Sequence, residues 1–211
     1  EAITGVDLVE WQLRVAAGEG LPAQQKDLTI TGHAFEARLY AEDVPAGFLP
    51  APGTLSHLSF PDMARADSGV RAGDAISPFY DPMIAKVIVH GPTRAIALRR
   101  LSRALAQTEV AGTVTNLGFL GALANHKGFA REEVDTGLIA RDIAALTQQT
   151  QPQAHHIVAA AMALTCLDKP QAAAGFCLWQ PLRRAVALAA GERRLDLQVE
   201  VRAPDWQLWH V

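Results

Sequence analysis

Apolar and polar positions alternate from Thr29 to Tyr40, with His33, Phe35, Ala37 and Leu39 on one side and Ala34, Glu36, Arg38 and Tyr40 on the other. That period of two predicts a half-buried strand. A second strand is expected where Met83, Ile84, Val87, Ile88 and Val89 form an apolar run interrupted by Lys86, and a short one over Thr54 to Phe60. Phe48 and Leu49, inside a Pro- and Gly-rich bend, are expected to plug the core beneath it. Helical periodicity appears first at about Leu8 to Ala17, after Asp7 as cap. It returns over Arg94 to Gln107, where Thr93 can cap and Ala97, Leu98, Leu101, Ala104 and Leu105 share a side. A further helix is expected after Thr115 or Asn116 through about Ala124, buried through Leu117, Leu120 and Leu123, and another over Thr136 to Leu146. The polar stretch TQQTQPQ (Thr147 to Gln153) reads as a linker. Beyond it lie an alanine-rich helix, about Ala154 to Leu167 with a stripe of Ile157, Ala161 and Leu164, and four strand-like segments. Those are Phe176 to Trp179, Arg184 to Ala190, Leu195 to Val201 and Trp206 to Val211, the third alternating Leu195, Leu197, Val199, Val201 against wet positions Asp196, Gln198, Glu200 and Arg202.

The candidate chemistry gathers in Arg65 to Lys86, where turns rich in Gly, Asp and Pro place polar groups at the rim of a sheet. Arg65 and Arg71 offer rigid forks of donors suited to a carboxylate, a phosphate or a carbonate-like oxyanion; a solvated surface or a structural ion pair is the competing reading for each. Tyr80-Asp81-Pro82 makes a sound turn in which the Asp81 carboxylate can accept backbone N–H groups. Lys86 must snorkel or meet an acid, and Glu36 with Arg38 is spaced for an ion pair on one strand face. His33, His155, His156, Cys166 and Cys177 have no companion at metal-ligand spacing, so no metal site is expected. Arg99 and Arg103 share the outer surface of the Arg94 to Gln107 helix, with Arg94 and Arg100 nearby, as a basic solvated face or a partner surface.

Composition narrows the classes. The 211 residues are 49% hydrophobic, enough for a sizeable core in one large domain or two small ones. Nineteen basic against 22 acidic side chains give a formal charge of −3, which argues against a sequence-independent nucleic-acid surface. No apolar run reaches membrane-spanning length, and two cysteines do not make a disulfide framework.

In order and spacing, EAITGVDLVEWQL (Glu1 to Leu13), GHAFEARLYAED (Gly32 to Asp43), FLPAPG (Phe48 to Gly53), RADSGVRAGD (Arg65 to Asp74), YDPMIAKVIVHG (Tyr80 to Gly91) and TNLGFL (Thr115 to Leu120) resemble the C-terminal domain of biotin carboxylases. Ala111 departs from single-domain bacterial members, which tend to place an acid there. The resemblance implies an α+β fold, with an antiparallel sheet and packed helices over residues 1–140, a helix end and polar linker over 141–153, then the alanine-rich helix and antiparallel β segment. It implies a parent enzyme that uses ATP, with Mg or Mn, to activate bicarbonate and carboxylate protein-linked biotin. Arg65 is then the catalytic candidate, Glu36, Arg38, Asp67, Asp81 and Lys86 support it, and Arg94, Arg99 and Arg103 are interface candidates. The implied partners are an N-terminal ATP-grasp half, a biotin carboxyl carrier domain, a carboxyltransferase beta subunit and a second copy of the chain. No tight binding of biotin, ATP or metal by these residues alone is expected, nor a nucleic-acid or membrane partner. The compartment implied is the cytoplasm in a bacterium and the mitochondrial matrix in a eukaryote.

Residues 154–211 are similar to the opening of the module that links carboxylase and carboxyltransferase components in propionyl-CoA and 3-methylcrotonyl-CoA carboxylases, and on that likeness the chain is expected to be a truncated part. The leading acyl-CoA is 3-methylcrotonyl-CoA, ahead of propionyl-CoA and acetyl-CoA. The alternative function is a non-catalytic structural and subunit-interaction role.

Overall fold

A computed structural model describes residues 1–148, 151–169, 172–173, 176–190, 193–203 and 206–211. The chain divides into two compact units, Glu1–Gln148 and Gln149–Val211. The first contains α1 (Leu8–Ala16), β1 (His33–Tyr40), β2 (Glu42–Asp43), β3 (Leu49–Pro50), β4 (Gly53–Thr54), β5 (His57–Ser59), β6 (Arg65–Ser68), β7 (Ala75–Ile76), β8 (Met83–Gly91), α2 (Arg94–Gln107), β9 (Glu109–Ala111), α3 (Leu117–Ala124), α4 (Lys127–Ala130) and α5 (Leu138–Leu146). The second contains α6 (Ala154–Leu164), β10 (Leu182–Ala190), β11 (Arg193–Ala203) and β12 (Trp206–His210).

The main sheet of the first unit is antiparallel in the order β1-β8-β6. β8 is central, so its Ala85, Val87 and Val89 are buried with Ala37 and Leu39 of β1, as the alternation requires. A register shift opposite Leu39 and Tyr40 leaves Ile84 as an extra residue, which is why Ile84 and Ala85 are buried side by side. α2 covers this face: Leu98, Leu101, Ala104 and Leu105 pack on Ala37, Val87 and Val89, and burying each large aliphatic side chain stabilises the fold by about 1.5–3 kcal/mol. All five residues expected on the buried side of α2 are there, and the Thr93 hydroxyl accepts the Ile96 N–H as its cap. Asp7 caps α1 in the same way, through Val9 and Glu10, although α1 has no buried residue of its own.

Several details differ from the sequence pattern. The expected strand Thr54 to Phe60 divides into β4, paired with β7, and β5, paired with β9. Gly112, at φ +107°, lets the chain pass so close to the Thr54 carbonyl that a Cβ there would collide with it. Phe48 and Leu49 do not plug the core: Leu49 is exposed, and Phe48 lies at the surface with its ring edge-on to Phe119 at 5.4 Å. Phe119 and Ala124 are the buried residues of α3, whereas Leu117, Leu120 and Leu123 are half-buried around the neighbouring clusters. A single turn of helix, α4, forms where a plain turn is expected, capped by His126 accepting the Phe129 N–H.

In the second unit β10, β11 and β12 form an antiparallel meander. Leu195, Leu197, Val199 and Val201 face Ile157 and Ala161 of α6. The helix stops at Leu164, which is exposed; Leu167, after the left-handed Cys166, is the residue that returns to the core. Phe176 to Trp179 is not a strand, and Phe176, Leu178 and Trp179 are exposed, because no described strand offers that segment a ladder. Glu200 is buried, not wet, for it lies between Arg183 and Arg202. Gln149 and Thr150 of the expected linker lie outside the described residues.

Candidate functional site

The register of the main sheet decides which side chains meet. Across β8, Lys86 stands opposite Arg38 of β1 and Asp67 of β6, while Ile88 stands opposite Glu36 and Arg65. Directly opposed residues in an antiparallel ladder share a face. Glu36, Arg38, Arg65, Asp67 and Lys86 are thereby set on one face, away from α2. Five of the six residues singled out as catalytic or supporting come together in this way.

Arg65 is the centre of the hydrogen bonding. Its Nε donates to Asp67 Oδ1 at 2.8 Å and its Nη2 to Asp67 Oδ2 at 3.0 Å, a bidentate contact along one edge of the guanidinium. Nη1 donates to Glu1 Oε2 at 3.0 Å. The guanidinium is a permanent cation, and hydrogen bonding to Asp67 raises its pKa further. The same bond holds the Asp67 carboxyl below its ordinary range, with the Lys86 charge adding in that direction. On the other outer strand Arg38 Nε donates to Glu36 Oε1 at 3.2 Å. Ser68 Oγ, at the end of β6, is 2.8 Å from both the Val70 and Ile84 carbonyl oxygens and ties the following turn to β8. Asn116 fixes the other rim: its amide accepts the Tyr40 N–H at 2.9 Å and donates to the Arg38 carbonyl at 3.2 Å, completing the outer edge of β1 where, among the described residues, no further strand is paired.

The remaining candidates stand elsewhere. Asp81 accepts the Met83 N–H at 3.1 Å in the turn before β8, and its charge adds to burial in raising the Glu42 pKa. Arg71 is exposed, 3.9 Å from Asp74. Arg99 and Arg103 are exposed on the helix that covers the opposite face of the sheet. Arg94 turns inward: it donates to the carbonyls of Phe129 and Ala130 at 2.7 and 3.1 Å, and its guanidinium lies 5.2 and 5.6 Å from the ring centres of Phe35 and Phe129. Glu1 and Asn116 were not anticipated as part of the site, since neither has a spacing signal toward β6 or β1. Among the described residues no group of three or more His, Cys, Asp or Glu side chains is placed to hold a metal ion. Among the same residues no helix is long and apolar enough to cross a membrane.

Helices on one face of an antiparallel sheet, and a held arginine on the other, define a mixed helix-and-sheet domain with a cation on its open face. The family profile described as "Biotin carboxylase C-terminal domain" matches residues 36–141, and the chain belongs to that family. It is 46% identical over 177 residues to the mitochondrial methylcrotonoyl-CoA carboxylase subunit alpha of Oryza sativa subsp. japonica, covering 80% of this chain and 24% of that protein. It is 45% identical over 141 residues to the biotin carboxylase of Halalkalibacterium halodurans, covering 66% of this chain and 31% of that one. Among solved structures, the dimeric biotin carboxylase domain of Hydrogenobacter thermophilus 2-oxoglutarate carboxylase, in complex with MgADP, ADP and bicarbonate, superposes with a TM-score of 0.68 at 34% identity, covering 70% of this chain and 33% of that one. The chain thus spans a quarter to a third of the length of these proteins.

Proposed function

We propose that this chain supplies the C-terminal part of the biotin carboxylase subunit of an acyl-CoA carboxylase, and that Arg65 is its catalytic residue. The observation that carries this reading is the position of Arg65, on a sheet face remote from the covering helix, with its fork gripped along one edge and donors left on both terminal nitrogens. That donor set fits a small oxyanion. When bound, biotin supplies the ureido nitrogen that is carboxylated, and ATP with its metal supplies the phosphoryl group that activates bicarbonate. Arg65 donates hydrogen bonds to oxygen that carries negative charge, and a prealigned cation is worth most where that charge grows during reaction. Glu36, Arg38, Asp67 and Lys86 keep the face charged and ordered around it, and Asp81 shapes the turn leading into β8.

The bicarbonate and MgADP in the Hydrogenobacter structure support bicarbonate and a magnesium nucleotide as ligands of the complete protein. We assign the nucleotide and metal to an N-terminal ATP-grasp half, and the carboxyl group to a carrier domain and a carboxyltransferase beta subunit. Self-association through Arg94, Arg99 and Arg103 belongs to the same reading, with Arg94 also bonded within the chain to the Phe129 and Ala130 carbonyls. The names of the relatives favour 3-methylcrotonyl-CoA as the acyl acceptor, with propionyl-CoA and acetyl-CoA behind it, because the rice subunit matches over 177 residues, well beyond the 106 of the family profile at 36–141. Residues 1–140 act as the carboxylase domain in this scheme and 154–211 as the start of the linking module. The compartment follows the source, matrix for a mitochondrial protein and cytoplasm for a bacterial one.

The competing role, a structural and subunit-interaction part, has one observation in its favour: the carboxylates of Asp67 and Glu1 already satisfy much of Arg65. Arg65→Ala in the complete subunit separates the two. Biotin carboxylation is expected to fall roughly a hundredfold or more, as on loss of one oxyanion donor, with ATP binding retained. Carboxylation at the unmodified rate would leave the structural role standing and reject the catalytic one.

A further inference from the structure

The donor geometry of Arg65 is restricted in a way that its exposure alone does not require. A guanidinium has five N–H donors in a rigid fork. Asp67 takes Nε and one N–H of Nη2, and Glu1 takes one of Nη1, which leaves a single N–H on each terminal nitrogen. An incoming anion therefore meets Arg65 at its terminal nitrogens and not along Nε. Asp67 is itself fixed, because β6 is laddered to β8 in a register that places it opposite Lys86. Lys86 is half-buried on the central strand and, among the described residues, is in no ion pair. It also stands opposite Arg38, a like-charge pairing that is unfavourable in a ladder. Its charge does have an effect on Asp67, whose carboxyl is held in the ionised form by Arg65 first and by Lys86 in addition.

We infer that Asp67, backed by Lys86, is the positioning residue that aims Arg65, so that the site takes a small planar oxyanion of the bicarbonate or carboxylate class at the two terminal nitrogens only. This inference rests on the catalytic role proposed for Arg65. Asp67 does not touch the ligand; it fixes the plane and the rotation of the group that does. Lys86 acts one step further back, as the cation opposite Asp67 in the ladder.

Two measurements test it. In the isolated chain, exchange of the Arg65 Nε–H with solvent, followed by ¹⁵N-detected NMR, should be slow, faster by about tenfold in Asp67→Asn, and accelerated to a lesser degree in Lys86→Met. In the complete subunit, Asp67→Asn should lower kcat for biotin carboxylation substantially, up to about a hundredfold for a misplacement of the guanidinium by about 1 Å, with the KM for ATP unchanged. Asp67→Glu should recover part of that loss, since a carboxylate is restored at a different reach. An unchanged kcat in Asp67→Asn, beside a severe loss in Arg65→Ala, would overturn this inference and leave the role of Arg65 intact. If Arg65→Ala proved harmless, the catalytic reading and the oxyanion part of this inference would fall together; unaltered Nε–H exchange in Asp67→Asn would by itself overturn the holding of Arg65 by Asp67, and accelerated exchange would support that holding alone.

Discussion

The sheets β1-β8-β6 and β10-β11-β12 each carry an arginine–carboxylate cluster on the face turned from their helix, and the two clusters have opposite stoichiometry. In the first, two carboxylates, Asp67 and Glu1, meet one arginine, Arg65. In the second, two arginines, Arg183 and Arg202, meet one carboxylate, Glu200. The Glu200 side chain is 5% exposed, against 40% for Asp67 and 58% for Arg65. Arg202 also lies 4.8 Å from the ring centre of Trp206, so its guanidinium is held on a second side. Short acids gripping a long arginine leave the cation projecting with donors to spare. Long arginines folded over an acid leave the anion covered. A cluster of the first kind suits a ligand site, and one of the second kind suits a closure of the sheet surface, where an enclosed ion pair contributes more to a unique arrangement than to net stability.

If the difference lies in the charged faces, the apolar faces beneath them should behave alike. Leu39 in the first unit is 0% exposed and Leu197 in the second 1% exposed. Leu39→Ala and Leu197→Ala should each remove about 2–5 kcal/mol from the unit concerned, the range for a buried leucine whose cavity does not collapse. Hydrogen exchange resolved along the chain reads both. A loss at Leu197 far below that range would mean that the second core is loosely packed, and the comparison would then be one of unequal scaffolds and not of unequal charge.

A smaller effect tests how the first sheet is kept in register for its ligand face. Asn116 is 5% exposed and closes the outer edge of β1 with its side-chain amide. Asn116→Ala leaves a backbone donor and a backbone acceptor of β1 without that partner, for an expected loss of about 1–3 kcal/mol. Denaturant unfolding of the chain gives the value. If the loss is accompanied by faster exchange of the Tyr40 N–H, the one the amide accepts, but not of the Ala37 N–H, the amide is acting as a surrogate strand; uniform acceleration would make it only one more buried contact.

The alternation of β1, the buried stripe of α2 and the inward residues of β11 were legible because each follows from a period of two or 3.6 within one segment. The site was legible only in part. Period two put Glu36 and Arg38 on one face, but Lys86 joins them through a pairing across the sheet, which no local pattern encodes. The Glu1 to Arg65 and Asn116 to Tyr40 bonds span 64 and 76 residues, and both are made by side chains that look like an ordinary surface acid and an ordinary helix cap. Glu200 was misread for a related reason: alternation tells which side of a strand a residue is on, not whether neighbouring arginines fold over it. Arg94 is an interface candidate by resemblance, and no local pattern encodes that its long side chain at the start of α2 also reaches the Phe129 and Ala130 carbonyls of α4.

The last test uses acid to set the two clusters against each other. Hydrogen bonds from arginine hold both carboxyls below their ordinary values, Glu200 through Arg202 and then Arg183, Asp67 through Arg65 and then Lys86. A carboxyl whose pKa is lower folded than unfolded contributes its full stabilisation above the unfolded value, about 4 for these acids, and loses it as pH falls through the folded value. Each sheet should therefore lose exchange protection on acidification through and below pH 4, and Glu200→Gln and Asp67→Asn should each flatten that dependence in its own sheet. The flattening should be the larger for Glu200, which water barely reaches, and the smaller for Asp67, whose half-exposed pair is screened. Raising the salt concentration sharpens the contrast, since it weakens exposed pairs first and should shrink the Asp67 effect while sparing that of Glu200. Equal flattening with equal salt sensitivity would show that the two clusters are electrostatically alike despite their inverted stoichiometry, and that the openness of Arg65 comes only from the width of the surface around it.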